Sequence, residues 1–180
     1  MSRKLMRTLA VAAIVVLAAA TAATAHAATL DQVRHATAPF QQLNTAKAAG
    51  YGLLTDAAGI HCISDPGGMG AMGVHYVNGD LVGDDTVNAL HPEAMVYQPV
   101  PGHPLRLVAV EYVVFKADWD KNHSSPPQLF NHTFFTILAG NRYGLPDFYE
   151  LHAWIWRPNP SGMFENWNPK VTCRGNGDPA

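Results

Sequence analysis

A run of alternating side chains near the middle of the sequence predicts a long β-strand. Residues 105–115 are rich in β-branched and aromatic residues, which favour strands. Because strand side chains alternate between two faces, Glu111 lies on an otherwise apolar face, where a carboxylate must be paired, hydrogen-bonded, protonated or bound to a metal. That face also carries Leu105, Leu107, Ala109, Val113 and Phe115, and the opposite face carries Arg106, Val108, Val110, Tyr112 and Val114.

Other short apolar runs predict further strands, separated by turns rich in Pro and Gly. Residues 117–133 show no clear period and are predicted to form a long surface loop. The predicted strands are Val74–Val77, Ala94–Gln98, Phe134–Leu138 and Phe148–Trp156.

The segment before these strands predicts an amphipathic helix. Thr29 and Gln32 have the spacing of a capping box, in which each side chain satisfies a backbone N–H of the first turn. Apolar residues then recur at steps of three and four until Gly50. Pro39 is expected to kink this helix or split it in two.

The pattern as a whole predicts one α+β domain over residues 28–173, with the N-terminal helix packed on a mainly antiparallel sheet or small barrel. Residues 174–180 are predicted to be a disordered tail.

Residues 1–27 have the pattern of an export signal. Arg3, Lys4 and Arg7 precede an apolar stretch, and Ala25-His-Ala27 fits the rule for signal cleavage. Its removal would leave nine Lys and Arg against 14 Asp and Glu, a formal charge of −5. We therefore expect a secreted or periplasmic, extracytoplasmic protein that is not inserted in a membrane after processing. Asp and Glu outnumber Lys and Arg, and the sequence after residue 27 has no run of basic residues. Both observations argue against nucleic acid as a partner.

Cys62 and Cys173 are the two cysteines of the chain. In an oxidising compartment two cysteines most simply form one disulfide. A pair of metal-binding thiols is the alternative, although neither cysteine has CxxC spacing.

Three ionisable residues on different predicted strands are the candidate site. If the faces carrying His75, Glu111 and His152 converge, they make a set of two imidazoles and one carboxylate, which suits Zn²⁺, Fe²⁺, Mn²⁺ or Cu²⁺. The alternative is a buried hydrogen-bonded cluster with a structural role. Glu150 is predicted to orient an imidazole, or to be a catalytic acid or base together with Glu111.

Aromatic residues near these positions are candidates for lining a ligand pocket. Trp154 and Trp156 share a predicted strand face with Glu150 and His152, and aromatic walls with a few polar groups are typical of small-molecule sites. Tyr76, beside His75, is a further candidate.

Several segments together resemble a group of exported bacterial proteins of unassigned function. The resemblance implies a secreted bacterial origin and names no activity. The segments that carry it are Gly67–Gly70, His75–Asn78, Pro92–Tyr97, Leu107–Tyr112, Glu150–Trp156 and Asn159–Phe164.

These observations support three functional hypotheses. The first is a secreted protein that binds a small ligand or a divalent metal ion through His75, Glu111 and His152. The second is a metal-dependent enzyme that uses the same cluster, and the third is a structural or cell-surface interaction domain.

Overall fold

The computed structural model describes residues 27–175. The predicted export signal, apart from Ala27, and residues 176–180 of the predicted tail lie outside the described residues. No helix within residues 27–175 is long and apolar enough to cross a membrane.

The N-terminal segment forms two short helices joined by a 3-10 turn. Helix α1 spans Leu30–Thr37, the 3-10 turn Ala38–Gln41 and helix α2 Leu43–Ala48. The capping box of Thr29 and Gln32 is present. Pro39 lies in the first turn of the 3-10 segment, where its missing N–H costs no helical hydrogen bond. The predicted split of the helix is confirmed.

The rest of the domain is built on one antiparallel sheet of seven strands. Its order is β1-β3-β4-β5-β9-β8, and β2 also pairs with β3. A separate hairpin of β6 and β7 follows the short helix α4, and the short helix α3 follows β3. The elements are β1 Gly52–Leu53, β2 Cys62–Ser64, β3 Ala71–Val77, α3 Gly79–Val82, β4 Ala94–Val100, β5 His103–Phe115, α4 Lys116–Trp119, β6 Gln128–Leu129, β7 His132–Thr133, β8 Phe135–Ile137 and β9 Phe148–Ala153.

This architecture confirms the α+β class and corrects three finer expectations. The sheet is open, so the alternative of a small barrel is wrong. Residues 117–133 are not a plain loop, because they contain most of α4 and the β6–β7 hairpin. The last predicted strand ends at Ala153 instead of Trp156, since Trp154 bonds through its N–H to Met163 of the following segment.

The two faces of the sheet have different coverings. One face packs on α1 and α2 and holds the main apolar core, including Val33, Met95, Tyr97, Val110 and Tyr112. The other face carries two smaller apolar clusters, one around Val96 and Trp154 and one around Val113 and Phe148. The polar candidates lie on this second face, between the small clusters.

A β-bulge in β5 changes which residues accompany Glu111. Val96 pairs with Ala109 while Tyr97 pairs with Leu107, so Val108 is the extra residue. An extra residue moves the following side chains to the other face. Leu107 therefore lies in the main core, whereas Ala109 stays on the face of Glu111. The predicted face was right for Ala109 and Val113 and wrong for Leu105 and Leu107.

The C-terminal segment returns across the second face and is covalently fastened there. Cys62 and Cys173 form the predicted disulfide, across 111 residues of sequence. Asn168 also pairs with Ala71 at the start of β3. The close approach requires glycine at position 70, because a Cβ there would lie 2.2 Å from the Asn168 carbonyl oxygen.

Candidate metal centre

Three side chains from three strands meet on the second face of the sheet. His75 lies on β3, Glu111 on β5 and His152 on β9. Glu111 is directly opposite His152 in the β5–β9 pair. Strand β4 separates His75 from Glu111, and it places Ala94 opposite Glu111. The small Ala94 side chain thus lies beside Glu111 on this face.

The three residues present their polar atoms to one another. His75 Nε2 lies 3.5 Å from Glu111 Oε2, and His152 Nδ1 lies 3.7 Å from Glu111 Oε1. The Nε2 atoms of the two imidazoles are 3.5 Å apart. One ligand atom from each residue can be chosen so that all lie within 4.8 Å of one another. The predicted convergence of His75, Glu111 and His152 is thus present.

These spacings are longer than those of a satisfied hydrogen-bonded cluster. Protein N–H···O bonds are typically about 2.7–3.2 Å long, and the two His–Glu distances exceed this range. The Nδ1 atoms of His75 and His152 are both buried without a hydrogen-bond partner among the described residues. Buried polar atoms of this kind usually have a partner.

Burial keeps both imidazoles neutral. The side chains of His75 and His152 are almost wholly buried. Burial, with a contribution from the positive charge of Arg142, lowers the pKa of His75 to about 4. Burial also lowers the pKa of His152 well below its ordinary value, and nearby His75 adds to the effect. Neutral imidazole is the form that binds a metal ion.

The carboxylates of the site are buried as well. Burial raises the pKa of Glu111 well above its ordinary value, and the neighbouring Glu150 raises it further. Glu150 lies two residues before His152 on β9, so that its side chain is on the same face as those of His152 and Glu111. Asn166 donates from Nδ2 to Glu150 Oε1 at 2.6 Å. Glu150 therefore lies on the face that carries Glu111 and His152, and its role in orienting an imidazole stays a prediction.

Both histidines have a further polar neighbour. The backbone of Gly73 lies beside His75, and the Asn166 side chain lies beside His152. Gly73 has a φ of 116°, and a Cβ there would lie 2.4 Å from the Tyr97 carbonyl oxygen. Only glycine therefore allows β3 to pack this closely on β4 just before His75.

An open cavity of about 1370 Å³ lies beside the cluster. Glu150 and Asn166 belong to its lining, together with Met72 and Tyr143. His75, Glu111 and His152 are not among the lining residues. Glu150 links the cavity to the cluster, because it shares a face of β9 with His152. Arg142 also lines the cavity, and it is paired with the nearly buried Asp56.

The aromatic candidates are divided between the two faces of the sheet. Trp154 lies beside the cluster, with its ring stacked on His152 at 5.9 Å between centroids. Tyr76 and Trp156 lie instead on the main-core face, so the expectation that they line this pocket is corrected. Trp156 donates from its indole N–H to Thr37, because the chain leaves the strand geometry after Ala153 and no longer alternates.

Sequence reasoning missed the residues that come from loops. Asn166 lies between Asn159-Pro160 and Asn168-Pro169, and these Asn-Pro pairs, which favour turns, were the available signal for it. Arg142 and Tyr143 lie between β8 and β9 in a segment without a diagnostic pattern. Their contribution depends on how that loop folds over the sheet.

Comparison with protein-family models, with curated proteins and with solved structures finds no match for this chain. The function must therefore be inferred from the geometry of the site.

Proposed function

We propose that this protein binds one divalent transition-metal ion through His75, Glu111 and His152. The observation that supports this most directly is the spacing of their polar atoms. Each of the three residues offers one ligand atom, all within 4.8 Å of one another, and the two His–Glu distances of 3.5 and 3.7 Å are longer than ordinary hydrogen bonds.

The distance between the imidazole nitrogens is close to that found on a tetrahedral ion. Zinc–nitrogen bonds are about 2.0–2.1 Å long, so two nitrogens on one tetrahedral ion lie roughly 3.3 Å apart. The Nε2 atoms of His75 and His152 are 3.5 Å apart.

The donor set limits the choice of metal. Two imidazoles and one carboxylate suit Zn²⁺, Cu²⁺, Fe²⁺ or Mn²⁺ better than Ca²⁺ or Mg²⁺, which prefer oxygen ligands. Three protein ligands also leave at least one coordination position for water or another ligand. On this proposal the cavity beside Glu111 gives access to that position.

The proposal includes an extracytoplasmic location. The pattern of residues 1–27 favours export, and a disulfide is common in oxidising compartments. Both observations support a protein that binds its metal outside the cytoplasm.

Metal titration of the purified protein tests the proposal. After dialysis against a chelator, Zn²⁺ and Cu²⁺ are added in a calorimeter, and the metal content is measured after gel filtration. We expect one ion per chain in the unaltered protein. His75→Ala, His152→Ala and Glu111→Gln should each weaken binding at least tenfold, because each removes one ligand.

The exposed His91 provides the matched control. His91→Ala removes an imidazole from a turn and should leave the stoichiometry and the affinity unchanged. Circular dichroism of each metal-free variant shows whether it is folded. Unaltered protein that binds no ion, or that loses binding equally in His91→Ala, would refute the proposal and favour a purely structural cluster.

A further inference from the structure

Arg142 is a cation on the wall of the cavity beside the proposed metal centre. Its Nε and Nη2 both donate to Asp56 Oδ2, at 3.1 and 2.8 Å. Its Nη1 has no hydrogen bond to the described residues, and a third of the side chain, 33%, is exposed. The guanidinium therefore has donor capacity left for a ligand in the cavity.

Asp56 holds this guanidinium without covering its free side. Asp56 Oδ1 accepts from the backbone N–H groups of Ala58 and Ile60, and Oδ2 accepts from Arg142. The Arg142 carbonyl oxygen accepts from Ala57 N–H, which ties the two loops together a second time. The orientation of Arg142 is thus fixed by the fold before any ligand arrives.

Arg142 shares its cavity with a neighbour of the proposed metal ligands. Glu150 lines the same cavity, and it lies two residues before His152 on the same face of β9. A divalent ion held by the single carboxylate of Glu111 keeps one positive charge. A ligand between this ion and Arg142 would therefore lie between two positive centres, which favours an anionic oxygen.

The remaining wall of the cavity is largely apolar. Met72, Ile137 and Trp167 line it together with small and apolar residues of the loop before β2. Such a wall suits an organic body better than a fully hydrated inorganic anion.

From these relationships we propose that the cavity binds a small organic carboxylate. One carboxylate oxygen would bind the open position of the metal, the other would accept from Arg142, and the organic body would lie against Met72, Ile137 and Trp167. This inference rests on the proposed metal site.

Three carboxyl groups line the cavity, and Asp56 is already paired with Arg142. The other two oppose an anion and shape the test. Glu150 accepts from Asn166 through Oε1, and Asp65 accepts from Met69 N–H through Oδ2. Asp65→Asn removes a negative charge while it keeps an acceptor oxygen, so it should strengthen carboxylate binding by about two- to threefold.

The experiment uses protein loaded with Co²⁺, whose visible absorption reports its ligands. Benzoate is titrated first, followed by benzamide, acetate and inorganic phosphate. We expect benzoate to change the Co²⁺ spectrum and to bind about tenfold more tightly than acetate, because its ring is buried on the apolar wall. Benzamide, which has the same shape without the charge, should bind at least tenfold more weakly than benzoate.

A double variant tests the contribution of Arg142 to carboxylate binding. Asp56→Asn with Arg142→Gln removes both charges of the pair, so that no buried carboxylate is left unpaired. Co²⁺ binding should persist, whereas the affinity for benzoate should fall at least tenfold. Asp65→Asn is the matched variant, and its effect should have the opposite sign.

The outcomes separate the two proposals. If Co²⁺ produces no spectrum of a protein-bound ion, the metal site fails and this inference fails with it. If Co²⁺ binds but benzoate leaves its spectrum unchanged, or if phosphate binds more tightly than benzoate, the ligand class alone is overturned. Equal benzoate affinity in the double variant would overturn the role of Arg142.

Discussion

His75 Nε2 lies 3.5 Å from His152 Nε2, although 77 residues separate the two histidines in sequence. Their strands are not neighbours, because β4 and β5 lie between β3 and β9. The two histidines can approach each other because both lie on the second face of the sheet. Both are also within 3.7 Å of the Glu111 carboxyl. A site of this kind forms only when four strands are in register.

Metal binding should stabilise the folded protein. A ligand that binds only the native state adds about 2.7 kcal/mol at a free concentration of 100 times its Kd, which corresponds to roughly 5–10 °C for a domain of this size. We expect Zn²⁺ to raise the Tm of the unaltered protein by this amount. Differential scanning calorimetry with and without Zn²⁺ provides the measurement.

The same experiment on Glu111→Gln should show little or no Zn²⁺-dependent shift. The Gln side chain has the size of Glu but is a poorer ligand, so the fold is preserved while the ion is lost. A Zn²⁺-dependent shift of equal size in this variant would mean that the stabilising ion binds elsewhere.

Enlarging the side chain at Ala94 should weaken metal binding. Ala94 is wholly buried and lies opposite Glu111 on β4. Ala94→Val would add two methyl groups beside Glu111 and displace its carboxylate, so we expect the metal affinity to fall at least tenfold. Overpacking should also lower the free energy of unfolding by about 1–3 kcal/mol.

Ala153→Val is the matched control for that change. Ala153 is equally buried but lies in the main core on the other face. It should cost a similar free energy of unfolding, measured by urea denaturation, while the metal affinity stays the same. A loss of affinity in both variants would point to a general effect of destabilisation.

Glu93 should make stability depend on pH. This buried carboxyl accepts from Val113 N–H at 3.1 Å, and burial raises its pKa from 4.5 to about 8, with a small contribution from the negative charge of Asp84. Between these two values the unfolded chain releases the proton and the native state keeps it. The stability contributed by Glu93 is therefore complete below about pH 4.5 and is lost as the pH rises towards 8.

Glu93→Gln, which cannot ionise, isolates this effect from the titration of His75 and His152. The free energy of unfolding of the unaltered protein minus that of Glu93→Gln should fall by about 1.4 kcal/mol per pH unit across that window. Urea denaturation at pH 5, 6, 7 and 8 measures the difference. Parallel curves for the two proteins would contradict the prediction.

Loss of the disulfide should destabilise the domain. In the chain-entropy model, a loop as long as that between Cys62 and Cys173 contributes about 4–5 kcal/mol, and measured values are often lower. We expect Cys62→Ser with Cys173→Ser to reduce the free energy of unfolding by several kcal/mol in urea. Thiol titration of the unaltered, denatured protein should detect no free cysteine; one or two thiols would show that the bond is absent in solution.

The sequence predicted the cluster because Glu111 broke a local pattern and the two histidines lay on other predicted strands. Glu111 stood out on an apolar strand face, and the alternation of β9 placed His152 on one side of that strand. Alternation predicts the sheet face of a side chain only where the strand contains no bulge. Val108 adds a residue to β5 and moves Leu107 to the other face, and nothing in the composition of residues 105–115 marks that position.

The loop residues of the site could not be predicted from sequence patterns, for a different reason. Asn166 contacts Glu150 because the C-terminal segment is tied back by Asn168 and Cys173. Arg142 faces the cavity because Asp56, 86 residues earlier, holds its guanidinium. Both placements depend on distant tertiary partners, whereas sequence periodicity reports only the local backbone.

The position of the disulfide also has a topological consequence. His75, Glu111 and His152 all lie between Cys62 and Cys173, so the chain that carries them is a closed covalent ring. One proteolytic cut in the exposed stretch around Asn122 would open this ring without separating its halves. The two fragments would stay tethered through sulfur, and the three proposed ligands would remain together on one molecule.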